Sequence, residues 1–201
     1  MDIFGPVWHD YLDKIIIDWR ERVTDEDVVI LAGDYSWAMK LEDVVPDFDF
    51  LRNLPGKKII IRGNHDYWWS SVSRVREKLP PNTYALQNDA IKIGEYIFCG
   101  NRGWIIPEGK YDTAENRKIY ARELIRLELS LQSAKKLQTA DEKIIFITHY
   151  PPFNKNIEPS EYTRLIEQYG VSFVVFGHLH GYVNPKMYFN DINGVKYYLT
   201  S

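Results

Sequence analysis

The chain has almost no cysteine. Cys99 is the single thiol among 201 residues, so no disulfide can form within it. Stability must come from an ordinary apolar core, and the thiol balance suits a reducing compartment, read here as the cytoplasm. No apolar run is long enough to span a bilayer, and no signal peptide is visible. Basic excess is missing too. With 25 Lys and Arg against 28 Asp and Glu, the net charge is −3, which removes the positive field that long nucleic acids need. Repeats, low-complexity tracts and linkers are also lacking. A hydrophobic content of 45% and a length that supports a full core then leave one globular domain, 1–201.

What the chain does have is a repeated pattern at the ends of apolar runs. Lys57 to Asp66 reads KKIIIRGNHD: Ile59, Ile60 and Ile61 have the continuous apolarity of a strand buried on both faces, and Gly63 permits a sharp turn. Asn64, His65 and Asp66 then follow at the carboxyl end, where open α/β sheets place their ligands. Val28 to Asp34, VVILAGD, ends in a carboxylate, and Ile144 to His149, IIFITH, ends in an imidazole. Phe173 to His180, FVVFGHLH, ends in two imidazoles one residue apart. Four of the five histidines therefore sit at strand ends, a clustering that scattered core histidines would not show.

The remaining segments alternate with these strands. Helical spacing is expected over 10–22, within 41–54 with Pro46 as a break or a start, and over 68–79. From Tyr84 to Gly100 the runs shorten and alternate, which predicts antiparallel strands opening a second sheet, with Gly94–Glu95 as a hairpin turn. Asp112 to Gln138 reads as a long helix buried through Tyr120, Leu124, Leu127 and Leu131, its Arg117, Lys118, Arg122 and Arg126 forming a salt-laced outer face. Ser160 caps a short helix that Gly170 ends, and Asn193–Gly194 turns a closing hairpin.

Asp34 offers a hard oxygen, Asn64 an amide oxygen, and His149, His178 and His180 offer imidazoles. Mixed N and O donors without thiolate suit Zn, Fe, Mn or Ni. Two such cations about 3.5–4 Å apart clamp an in-line displacement and ionise a bound water. Taken in order, GD at 33–34, GNHD at 63–66, the lone histidine at 149 and GHLH at 177–180 resemble the calcineurin-like metallophosphoesterase superfamily. GDYSWAM, LPGKKIIIRGNHDYWW and RGW resemble a bacterial branch of small phosphoesterases within it. The resemblance implies a four-layer α/β/β/α sandwich of two mixed sheets flanked by helices. It implies two divalent or trivalent ions, with Asp34 bridging both. Asn64, His149 and His178 would complete the second ion's shell, and His180 would bind the first. A metal-bridging hydroxide would attack a phosphomonoester or phosphodiester, and His65 would act as general acid.

The same resemblance exposes a departure. The family pattern begins with a strand ending Asp-x-His that supplies two donors to the first ion, and this chain opens at MDIFGP, already past it. The expectation is a domain lacking its first strand and stopping short at the C-terminal end, with the first metal site incomplete and unpaired edges on central strands. His9 and Asp10 are weak substitutes, since neither ends a strand. Arg102, in GNRGW, is a candidate phosphate ligand, and Trp37, Trp68, Trp69 and Trp104 either pack loops or wall a pocket. The leading reading is a phosphoesterase acting on a small phosphoester. The alternative is a catalytically impaired remnant that binds one metal or none, and a nuclease is disfavoured by the charge balance.

Overall fold

The computed structural model describes residues 10–181 and 184–200. Strands β1 (Val28–Leu31), β2 (Lys57–Ile61) and β3 (Thr83–Leu86) form a small parallel sheet in the order β1-β2-β3. Strands β4 (Asp89–Ile93), β5 (Tyr96–Asn101), β6 (Lys143–Thr148), β7 (Phe173–Phe176), β8 (Phe189–Ile192) and β9 (Val195–Leu199) form a mixed sheet ordered β4-β5-β6-β7-β9-β8. The antiparallel pairs are its two outer hairpins, β4–β5 and β8–β9, which turn at Gly94 and at Asn193–Gly194.

Alternation along the strands divides the core into three sheets of side chains. Ile59 and Ile61 of β2 face Phe98 of β5 and Ile147 of β6, so the two β-sheets pack on each other. Ile60, between those two, points the other way, toward Phe48 of α2 (Val45–Arg52) and Val75 of α3 (Val72–Lys78). Ile97, Cys99, Ile144 and Phe146 point out to Leu127 and Leu131 of α4 (Ala114–Leu137) and Ile166 of α5 (Glu161–Gln168). The result is the four-layer α/β/β/α sandwich that the family resemblance implies. Cys99 is fully buried in it, and burial pushes its thiol far above the ordinary value.

Several local expectations need adjusting. The run YALQ does not open the second sheet; β3 pairs parallel with β2, because the helix α3 between them makes a crossover rather than a hairpin. Pro46 starts α2 rather than breaking it, at the position where its missing N–H costs nothing. Trp68 and Trp69 precede α3 and are buried against Phe48 and Val75. Among the described residues no strand precedes α1 (Tyr11–Arg22), and β1 pairs only with β2. The open edge is thus β1 itself, half-buried along its length, rather than a gap between central strands. β2 takes the central, fully covered place because it is flanked on both sides.

Helix α4 buries more than its apolar stripe. Ser130 and Glu123 are also sealed against the large sheet. Ser130 Oγ accepts from the Gly100 N–H at 2.7 Å and donates toward the Asp89 carbonyl at 2.9 Å, joining helix to sheet through polar bonds. Replacing Ser130 by Ala strips the Gly100 donor of this partner, and a loss of about 1–2 kcal/mol is expected in a urea unfolding midpoint.

Candidate metal centre

The site lies where β1, β2, β6 and β7 end side by side. Two glycines let the first two strand ends touch. Gly33 has a φ of +93°, and a Cβ there would meet His149 Nδ1 at 2.6 Å; a Cβ on Gly63 would collide with the Asp34 carboxylate. Asp66, immediately after the motif, is fully buried. Its Oδ2 accepts the N–H groups of Gly63 at 2.7 Å and Asp34 at 2.8 Å. Its Oδ1 accepts those of Tyr35 at 2.8 Å and Ser36 at 3.2 Å, and the Trp68 indole N–H at 3.0 Å. Burial pushes the Asp66 carboxyl above the ordinary value, and the Gly63, Ser36 and Asp34 N–H bonds pull the other way.

That carboxylate fixes Asp34 and the 63–65 turn in one frame, and Asp34 Oδ1 adds a bond from the His65 N–H at 2.8 Å. Asp34 Oδ2 is buried and has no hydrogen-bond partner among the described residues. It faces His149 Nε2 at 3.3 Å. Asn64 Oδ1 lies 2.7 Å from the same Nε2 and 2.8 Å from His178 Nδ1, and the two imidazole nitrogens are 3.2 Å apart. His149 Nδ1 sits 2.8 Å from the Ala32 carbonyl, which can only accept. A neutral His149 therefore carries its proton on Nδ1 and aims a lone pair at Asn64 and Asp34. Asp34 Oδ2, Asn64 Oδ1 and the His149 Nε2 lone pair thus converge as acceptors, and His178 Nδ1 joins them as a fourth when its ring proton sits on Nε2. Turning the Asn64 amide would satisfy the imidazoles but leave Asp34 Oδ2 orphaned. A cation satisfies all four, and the donor set of carboxylate, amide oxygen and two imidazoles fits a first-row divalent metal. Among the described residues Asp34, His149 and His178 alone make a group of three His, Cys, Asp or Glu donors within 4.8 Å of one another.

Two of these residues hold strained backbones. Asp34 has a φ of +57° and His178 of +72°. For residues with a Cβ the left-handed region costs on the order of 1–2 kcal/mol each. Burial opposes ionisation of Asp34, but the His149 ring when it carries a second proton, together with the His65 N–H, outweighs that and holds its carboxyl below the usual range. Burial, then the proximity of His149, lowers His178 to about 4, so its ring is neutral and ready to coordinate at pH 7.

The other candidates lie around this centre. His65 has a buried Nδ1 without a partner, and its ring stacks under the exposed Trp37 at 5.0 Å. His180 is exposed and stands outside the mutually close donors. Asp10 occupies the N-cap of α1 without a side-chain capping bond, and His9 lies outside the described residues. Arg102 lies over Trp104 at 4.8 Å, while its carbonyl accepts the N–H groups of His149 and Tyr150, both at 3.1 Å. Tyr150, which sequence reasoning passed over, stacks on His178 at 4.2 Å. A tyrosine in an apolar Pro-rich loop carries no signal that would have singled it out.

Two consequences are measurable. Asp66→Asn turns an acceptor pair into one acceptor and one donor facing N–H groups, and stability should fall by roughly 3 kcal/mol in chemical denaturation. His178 binds a proton in the unfolded chain near 6.5 but in the fold only near 4. Between those values the unfolded state holds more protons, so the metal-free protein should lose stability as pH falls from about 6.5 to about 4. Thermal melts across that range should show the slope, and His178→Asn should flatten it.

A model of the calcineurin-like phosphoesterase family matches residues 6–182 of the chain. The crystal structure of TT1561 from Thermus thermophilus superposes with a TM-score of 0.55 at 17% identity, covering 86% of this chain and 76% of that one. At that identity the likeness speaks for the fold alone. No curated protein matches the chain. Among the described residues no helix is long and apolar enough to cross a membrane. The family match spans most of the sequence, and with it the chain belongs to the calcineurin-like phosphoesterase family.

Proposed function

We propose that this chain holds one metal ion on Asp34, Asn64, His149 and His178 and is a catalytically impaired member of its family. The supporting observation is the meeting of Asn64 Oδ1, His149 Nε2 and His178 Nδ1 beside a buried Asp34 Oδ2 that has no hydrogen-bond partner among the described residues. When bound, the ion supplies Lewis acidity toward a phosphoryl oxygen and eases ionisation of water. A second ion would share Asp34 with His180, two donors where durable sites use three or more, so that position binds weakly. The identities Mn, Fe, Zn and Ni all suit the donor set.

The chain's own residues still carry the parts of a phosphoester site. His65, bonded to Asp34 through its backbone N–H, keeps a buried Nδ1 without a partner among the described residues, which supports a role in donating a proton to a leaving oxygen. Asp66 holds the turn that presents His65 and Asn64. Arg102 supplies positive charge for phosphoryl oxygens. A small phosphoester, mono- or diester, suits the net charge of −3 better than a long nucleic acid. A single cysteine, with no disulfide possible within the chain, is compatible with a cytoplasmic setting. Full hydrolase activity is the second reading, favoured by the His65 geometry and requiring the second ion.

Metal analysis decides between them. Dialysis against manganese or zinc should leave about one equivalent per chain, weakened about a hundredfold or more in His149→Ala, with weak or no turnover of an aryl phosphate. Two tightly held ions with brisk hydrolysis that His65→Ala abolishes would replace the impaired reading by the full hydrolase.

A further inference from the structure

Next to the metal centre lies a cluster of arginines of which the site described so far uses only Arg102. Glu123 of α4 is almost fully buried; two guanidinium groups approach it, and a third lies near enough to feel its charge. Arg126 pairs with its Oε1 at 2.5 Å, and Arg102 approaches the same oxygen only to 3.9 Å. Its Oε2 accepts from Asn101 Nδ2 at 3.0 Å. Arg62, at the end of β2, is the third: it feels both neighbouring arginines as well as Glu123 and Asp66. Its Nε is buried and has no hydrogen-bond partner among the described residues.

The charge count does not close. Arg62, Arg102 and Arg126 bring three positive charges to one carboxylate whose oxygens are already engaged. Asp66 adds a second negative charge within reach of Arg62, but five N–H donors fill its oxygens, and three positive charges still face two negative ones. Arginine keeps its charge in proteins, so the excess cannot be shed by deprotonation. A half-buried guanidinium without a partner is costly, and a structure retains it where an arriving anion makes up the loss. The opening is present: the Arg102 side chain is 23% exposed and that of Arg126 is 46% exposed.

The cluster also sits at the right place. Arg62 is two residues before Asn64 on the same chain segment. Arg102 leads to the metal donors through a short stack of rings, Trp104 on Tyr150 at 5.2 Å and Tyr150 on His178 at 4.2 Å. We infer that Arg62, Arg102 and Arg126 form a second anion subsite, which takes a further phosphoryl group of a substrate whose ester phosphate lies at the metal centre. The planar guanidinium fork matches phosphate oxygens and favours them over a point-like anion. This deepens the proposed function by naming a substrate class, phosphoesters with two phosphoryl groups.

The test is binding of inorganic pyrophosphate, by calorimetry at low salt, to the full chain stripped of metal and freed of chelator. The parent should bind, and Arg62→Gln and Arg102→Gln should each weaken binding about tenfold or more. Arg62→Lys should retain part of the affinity, since it keeps the charge and loses the fork. Without anion, Arg62→Gln should melt no lower than the parent, because a subsite arginine is not a structural brace. No binding by the parent, binding by both glutamine variants as tight as the parent's, or a melting temperature that falls in Arg62→Gln with pyrophosphate affinity unchanged would overturn the subsite. Measured without metal or turnover, the result is separate from whether the metal centre hydrolyses an ester.

Discussion

One buried carboxylate organises the mouth of this molecule. Asp66 accepts hydrogen bonds from the loop after β1, from its own turn after β2 and from the Trp68 indole. Each N–H it accepts would otherwise be a buried donor without a partner, so the loops and the carboxylate stabilise one another. Gly33 and Gly63 make the approach possible by leaving no Cβ in the way. The two strand ends are thereby held together before any ion is considered, and the position of Asp34 and Asn64 is a property of the fold. Ion binding then has little ordering cost to meet.

The centre itself is the reverse of that satisfied knot. Asp34 Oδ2, Asn64 Oδ1 and His149 Nε2 face one another without donors, and two of the residues adopt left-handed backbones. Such a site is held open by its surroundings: Ala32 sets the His149 tautomer, Asp66 sets the loop, and Tyr150 stacks on His178. Strain and unmet polarity are concentrated where four strands end, while the three apolar layers behind are tightly closed. Full dinuclear chemistry needs more donors than the described residues bring together, which is why family membership and catalytic competence are separate statements for this chain.

Much of this was legible in the residues. The apolar runs ending in Asp34, Asn64, His149 and His178 announced strands and donors together, because buried parallel strands are nearly all apolar and whatever polar residue follows stands out. The Ser160 cap, the Gly94 turn and the length of α4 were readable from local chemistry. Sheet membership was not. YALQ has the alternation of an antiparallel strand, and only the crossover through α3 sends it beside β2. Glu123 and Ser130 were equally hidden, since on a helix they share spacing with exposed charges and their burial depends on which strands lie underneath. Arg62 was not legible either, because a charged residue closing an apolar run is ordinarily a solvated strand end. The convergence of three arginines from β2, the end of β5 and α4 is a tertiary fact with no sequence signature.

Trp37 shows how this architecture divides its labour. Its neighbour Ser36 is held to Asp66 through its backbone N–H and to Asp47 through its hydroxyl, yet the indole itself is 60% exposed and merely covers His65. The side chain at that position can change in size or polarity without disturbing what anchors the loop. Evolution therefore has a place at the lip of the cleft where selectivity can drift while foldability is preserved, so relatives with the same scaffold can diverge in what they admit.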